Sequence, residues 1–472
     1  MCSLESKPSP KFFSLVFLLV SSILSIGNWH IAAQFGIHSI FYLIFASVFF
    51  MVPVAFVACE LASSYTTYGG LFVWIKDAFG IKIGVLCAWL MWVSNIVWYP
   101  TVFTFISTCL IYYFEPSFAQ NRLLTFGVMN ALFWLGNMYN FFGFKFPAKF
   151  LSFSVLFSMI LPAGLLIGFG IKQFYAGLGQ NQEIALRLRD FFPTDERGLV
   201  LFTGLLLGFT GMEMAMVHYD KVHEPKKYFP KAIWLATLVL TTISILGTLG
   251  ISQALPKENM NLITDSFDAI YHYLKLHNMQ SLMPFITFMM AIGTWFAMSA
   301  YISEPSKAFF QAVKSSGLSK GLAKSNHHSM PTTIMICQGC FVTSISIAFY
   351  FFTNLSDFYW LLTDLASQLY LMIYFMMFMA VIKVKVIKKI FPINIVPFGS
   401  KGIVLFSSVG MVLTFVSFFM GCLPPHGSSM SYPLLYSTFV VISISMMAVT
   451  PLLILKYKNF KKSLQEKKIN QI

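Results

Sequence analysis

Two stretches of this 472-residue chain put glycine, small polar residues and a titratable group inside sequence that is otherwise apolar. The first is Ser25-Ile26-Gly27-Asn28-Trp29-His30. The second runs from Gly204 and Gly208 into Phe209-Thr210-Gly211-Met212-Glu213. Glycine and polar residues weaken a helix and free its backbone groups. Freed N–H groups can hold a carboxylate, and freed carbonyls an amine. The chemistry open to these residues is recognition of a small zwitterionic or anionic molecule. Gly27 to His30 and Thr210 to Met212 would supply the backbone contacts. Glycine in apolar helices also serves packing, but two such breaks favour a site over packing alone.

Among the 18 acids, Glu213 and Asp364 fall well inside apolar runs, and Glu60 lies at the end of one. His30 is the histidine placed nearest the middle of a run. Ionisable groups at membrane depth are costly and mark pathways or partners. Low dielectric disfavours the charged form of a carboxylate, which suits Glu213 to gating or proton coupling. Asp364 lies near the outer end of its run, where water could reach it. A protonated His30 would favour an anionic substrate, and a neutral one would hydrogen-bond instead. Enzyme chemistry finds little support. The remaining histidines fall in loops or at run ends without metal-ligand spacing, and His223-Glu224-Pro225 is not HExxH. Cys337 and Cys340 form a CxxC, but the flanks MICQGCFVTS read as mid-helix sequence with no second ligand pair. No metal or cofactor is expected, and a membrane-embedded enzyme is a remote alternative.

Composition says what must position these groups. The chain is 57% hydrophobic and 11% charged, with a mean hydropathy of +0.72. Soluble proteins carry about 25% charged residues. About 20 consecutive apolar residues cross a bilayer as a helix, and a β-barrel would alternate instead. The expectation is an all-α membrane protein of twelve spans: 12–33, 38–59, 85–113, 123–142, 149–171, 198–219, 232–255, 281–302, 332–353, 358–382, 402–422 and 433–455. The gap at 60–84 holds GGLFVWIKDAFG, a short amphipathic stretch suited to the interface. If the N-terminus is cytoplasmic, inside segments hold 25 of the 32 basic residues and outside segments seven. That bias obeys the positive-inside rule and puts both termini inside. The net charge of +14 then faces anionic lipid rather than nucleic acid.

Residues 1–11 read as a cytoplasmic N-terminus, 12–455 as one transmembrane domain and 456–472 as a basic cytoplasmic tail. Within the domain, 12–171 and 198–382 read as two repeats of five helices, followed by extra helices at 402–455. Spans one and six then occupy corresponding positions. Paired broken helices are the sequence pointer to a secondary transporter's binding site.

At these residues the sequence resembles the amino acid/polyamine/organocation transporters, and most closely their bacterial glutamate/GABA antiporter branch. The resemblance is carried by PVAFVACELASSYTTYGGLFVWIKDAFG at the second-span exit and WVSNIVWYPT in the third span. Phe209-x-Gly211-x-Glu213 is similar to the family's F-x-G-x-E, and HEPKKYFPKA follows it. Glu304-Pro305-Ser306-Lys307, Gly399-Ser400-Lys401-Gly402 and Leu423-Pro424-Pro425 continue the order. The resemblance implies a leucine-transporter-like inverted repeat of five plus five helices with two more at the end. It implies exchange of amino acids by alternating access in a bacterial inner membrane. A proton-coupled importer of the same fold is the alternative. It also places Tyr370 and Tyr374 at cavity positions, Tyr301 where the branch has a tryptophan, and Glu213 near the substrate path. Trp98 joins these as an aromatic shaping the cavity. The branch's eighth-span acid is here Ala297, and the first-span break reads Gly27-Asn28-Trp29-His30.

Overall fold

The computed structural model describes residues 12–23, 26, 29–65, 70–115, 118, 121–144, 147–177, 197–216, 219, 222, 224–256, 263–351, 355–390, 392, 395–424 and 433–469. Every regular element among them is helical. In chain order these are α1 (Phe12–Ile23), α2 (Trp29–Ala33), α3 (Gly36–Ala62), α4 (Gly70–Phe79), α5 (Ile81–Phe114) and α6 (Arg122–Phe141). Next come α7 (Phe153–Tyr175), α8 (Arg197–Leu207), α9 (Met212–Met216), α10 (Pro225–Ala254) and α11 (Asp265–Leu276). The last five are α12 (Gln280–Ser316), α13 (Thr332–Phe351), α14 (Ser356–Ile387), α15 (Gly399–Gly421) and α16 (Pro433–Ile469).

Eight helices among the described residues are long and apolar enough to cross a bilayer, and shorter apolar helices lie at Phe12–Ile23, Val200–Met216 and Thr332–Ala348. Helix α6 is less apolar because it carries asparagines on its packed face. Asn137 donates to the Met335 carbonyl at 3.1 Å, and Asn140 to the Ser299 carbonyl at 2.5 Å. These amides cross to α13 and α12, which satisfies groups that lipid could not.

Helices α5 and α14 form the centre. Of the most apolar stretch of each, 72% and 78% is buried, against 28% and 22% for α15 and α16. A helix apolar all round is an interior helix when its neighbours enclose it. Here α14 packs on α5, α8, α15 and α3, whereas α15 and α16 turn much of their surface outward. Helices α7 and α10 cross where Gly250 meets Leu166: a Cβ at Gly250 would collide with the Leu166 carbonyl oxygen. Close backbone approach through small residues is the usual way lipid-embedded helices gain contact.

The amphipathic stretch at 60–84 contains α4, which buries Leu71, Phe72, Trp74, Ile75 and Ala78 and leaves Lys76 and Asp77 partly exposed. Its neighbour Glu60 is wholly buried at the end of α3. Lys385, in a π-helical turn (Ile382–Ile387) ending α14, pairs with Glu60 Oε1 at 2.8 Å. Glu60 Oε2 accepts the Ile395 and Val396 amides at 2.7 and 3.0 Å, and Lys385 also donates to the Pro392 carbonyl at 2.6 Å. The charges are thus paired and hydrogen-bonded, the condition for tolerating a buried ion pair. Helix α16 runs beyond the expected span end near 455, because its basic tail continues in helical form to Ile469. Lys458 on that extension donates to the Ser316 and Gly317 carbonyls at the C-terminus of α12.

Candidate functional site

Helix α8 ends by tightening. The amides of Gly208, Phe209 and Thr210 donate to the carbonyls of Leu205, Leu206 and Leu207 at 3.0, 3.0 and 3.2 Å. Each bond spans three residues rather than four, the pattern common at helix ends. Gly211 then adopts φ +111°, a conformation that side-chain-bearing residues rarely reach. Helix α9 restarts at Met212, and the Met214 amide returns to the Gly211 carbonyl at 3.0 Å. A Cβ on Gly211 would stand 2.9 Å from the carbonyl oxygen of Ser22, near the end of α1. The two interrupted spans therefore meet at their interruptions.

A cavity of about 460 Å³ opens at this meeting point. That size is in the range of small-molecule sites. Its walls include Ser21, Ser22, Ile23 and Ile26 from span one and Leu207, Gly208, Thr210, Gly211 and Met214 from span six. Helix α5 adds Trp98, Val102 and Phe105, and α7 adds Ser158 and Met159. Helix α12 adds Thr294, Ala297, Met298 and Tyr301, and α14 adds Tyr359 and Tyr370. None of these side chains is ionised at neutral pH. Hydroxyls and backbone groups make up the polar surface.

Behind that wall lies a hydrogen-bonded relay. Glu213 is buried, and the Tyr374 hydroxyl donates to its Oε2 at 2.7 Å. The Gly211 amide points at the same carboxylate oxygen and at the Tyr374 oxygen, each at 3.2 Å. The break, the acid and α14 thus form one closed triangle. One turn earlier on α14, the Tyr370 hydroxyl accepts from Asn95 at 3.1 Å and is hydrogen-bonded to Tyr301. Trp98 meets the Tyr301 ring edge-to-face at 6.3 Å.

Of the residues singled out from sequence, Thr210, Gly211, Tyr301, Tyr370 and Trp98 line the cavity. Tyr374, Glu213 and Met212 stand one layer behind. Trp29 is packed against Gly247 of α10, and His30 is buried edge-to-face with Tyr359 at 5.5 Å, so both back the wall rather than form it. Gly27 and Asn28 lie outside the described residues. Sequence reasoning missed Ser21 and Ser22, which sit a turn before the expected break. It also missed Tyr359, although its spacing of eleven residues from Tyr370, about three helical turns, puts both rings on one face.

The amino acid permease family model matches residues 11–444. An uncharacterized transporter of Legionella pneumophila is 30% identical over 96% of this chain and 97% of its own length. The chain belongs to the amino acid permease family. A glutamate/gamma-aminobutyrate antiporter of Lactococcus lactis is 23% identical over 94% of this chain and 89% of its own. The crystal structure of MhsT in complex with L-phenylalanine shares the fold, with a TM-score of 0.58 at 13% identity over 86% of this chain and 98% of that one. As a member of this family the protein is an integral membrane transporter. The family is one of amino acid permeases, and the structural neighbour was crystallised in complex with L-phenylalanine.

Proposed function

We propose that this permease is a secondary active amino acid antiporter of glutamate/GABA type, working by alternating access in a bacterial inner membrane. The architecture proposed with it is twelve spans: two inverted repeats of five, two further helices, and both termini cytoplasmic. The observation that carries the reading is the close approach of Gly211 to the Ser22 carbonyl at the wall of an uncharged cavity. Two broken spans facing one cavity bring helix-end dipoles of both signs to it, suited to the carboxylate and amine of one amino acid. Thr210, Gly211 and the neighbouring Met212 backbone bind together with the Gly27–Asn28 stretch of span one, while Trp29 and His30 back the wall. Tyr301, Tyr370 and Tyr374 shape and occlude the pocket. Glu213, held by Tyr374 and Gly211, senses substrate through the break and sets the balance between open and closed states.

The test is uptake of radiolabelled glutamate into proteoliposomes at mildly acidic pH, preloaded with nothing, glutamate, GABA or other amino acids. Uptake that requires internal glutamate or GABA supports the full reading. Exchange confined to other amino acids keeps the antiport mechanism and moves the side-chain preference to Ala297 and the His30–Tyr359 pair. Uptake into empty vesicles driven by a pH gradient points instead to a proton-coupled importer of the same fold.

A further inference from the structure

Asp364 plays no part in the cavity. It lies on α14 about 12 Å along the axis from Ser356, and about 120° around the helix from Tyr370. It is wholly buried. Its neighbours come from four helices. The Tyr436 hydroxyl of α16 donates to Oδ2 at 2.9 Å, and Gln368 Nε2 of α14 itself donates to Oδ1 at 3.2 Å. Thr203 of α8 places its hydroxyl 3.4 Å from Oδ1. From α15, Gly421 approaches so closely that a Cβ there would collide with the Gln368 amide and stand 2.8 Å from Asp364 Oδ1. The titratable groups facing the carboxyl are Tyr436 from α16 and Cys422 just past the end of α15. Helix α8 offers only the Thr203 hydroxyl, and no cation faces Asp364 among the described residues.

Two details of the donors matter. The Thr203 hydroxyl has one proton, and its shorter contact, 2.8 Å, is to the Val200 carbonyl. Its oxygen is then left to accept, not donate, toward Asp364. Gln368 Oε1 has no hydrogen-bond partner among the described residues. An ionised carboxylate can use neither feature, but a protonated carboxyl can donate to Thr203, or to the Gln368 oxygen after an amide flip. A buried charge with no counter-charge is also the costliest state in this environment. By contrast, Glu60 in the same molecule is given a lysine and two backbone amides.

We propose that Asp364 is a proton-binding site, separate from the substrate cavity, whose occupancy is read by the half-helix α8. The proton comes from water and adds to a carboxylate oxygen, with no other bond made or broken. Protonated, Asp364 joins α8, α14 and α16 through neutral hydrogen bonds. Ionised, it draws in donors or water and loosens the seam between α8 and α14. Helix α8 ends at the Gly208–Gly211 break, and α14 carries the cavity tyrosines on another face. A charge change on the back of α14 therefore bears on the same two elements that grip the substrate.

The decisive measurement is infrared titration of the purified full-length protein in lipid, with no substrate present. A pH-dependent carbonyl stretch of a protonated carboxyl, shifted in D2O, is expected in the native protein and in Glu213→Gln, and is lost in Asp364→Asn. Its persistence in Asp364→Asn overturns the assignment. If Asp364→Asn does not fold, Tyr436→Phe serves instead: removing one donor moves the pH at which the band titrates, and an unmoved titration overturns it. A transport arm follows. The pH dependence of exchange, measured with equal pH on both sides, is expected to flatten in Asp364→Asn, and an unchanged profile overturns the reading of the site by α8. The infrared result stands whichever solute is carried, so failure of the antiporter reading and failure of the proton site are distinguishable.

Discussion

The Gly211 backbone is the most constrained point of the site. Its φ of +111° and the Ser22 carbonyl 2.9 Å from where a Cβ would lie leave no room for even a methyl group. Gly211→Ala is expected to insert normally and to lose exchange by at least about tenfold, since the backbone penalty alone is about 1–2 kcal/mol and 1.4 kcal/mol is a factor of ten. Proteoliposome exchange rates beside a thermal-unfolding curve check this. Tyr374→Phe removes the hydroxyl that donates to Glu213 and accepts from Gly211. Leaving a buried carboxylate short of a donor costs about 1–3 kcal/mol, so exchange should drop roughly tenfold, with recovery when Glu213→Gln is added. Restored exchange in the double variant would show coupling, and additive losses would deny it. Glycine, threonine and the acid of this break were visible in sequence because they interrupt an apolar run. The resemblance pointed to Tyr374 as a cavity residue, but its pairing with Glu213 was not visible. Tyr374 is 161 residues from Glu213, and no local pattern records that distance.

At the scale of elements, apolar periodicity placed the helices, because lipid demands long uninterrupted runs. It was less informative where tertiary contacts take over. The run at 281–302 is followed, past a turn residue at Ile302, by further helix to Ser316 with Pro305 in its first turn, where proline is tolerated, and the tail stays helical to Ile469 despite Pro451. Asp364 read as a residue near water, yet α15 and α16 cover it, and only the assembled fold reveals that. The Glu60–Lys385 pair ties the end of α3 to the π-helical end of α14 and the segment beyond it. Glu60→Gln is expected to destabilise the fold by about 3–5 kcal/mol, because it strands a buried ammonium. Lys385→Met should cost a similar amount, and the two together should cost less than their sum. A double-mutant cycle on denaturant or thermal unfolding reads the difference, and strict additivity would falsify the pairing energy.

At the scale of the whole molecule, the proposed orientation rests on the bias of its basic residues. Lys320, exposed between α12 and α13, falls on the proposed cytoplasmic side, and Lys275, exposed near the end of α11, on the other. In intact bacterial cells, a Lys275→Cys variant should react with a membrane-impermeant maleimide and a Lys320→Cys variant only after permeabilisation. The reverse labelling would invert the topology. Buried native cysteines such as Cys59, Cys87 and Cys109 give little background, and both variants are made with Cys337, Cys340 and Cys422 replaced by serine.

Biosynthesis meets the Glu60–Lys385 pair in a particular order. The two residues are 325 positions apart, so the carboxylate leaves the ribosome long before its ammonium exists. At about 5–20 residues per second, that interval is roughly 16–65 s. During that time the end of α3 carries a carboxylate without its lysine, and it waits at the water boundary. The seam of α3 and α14 can close only once most of the chain has been made. The nascent protein therefore spends most of its synthesis with this corner ajar, dependent on the membrane insertion machinery to shield it.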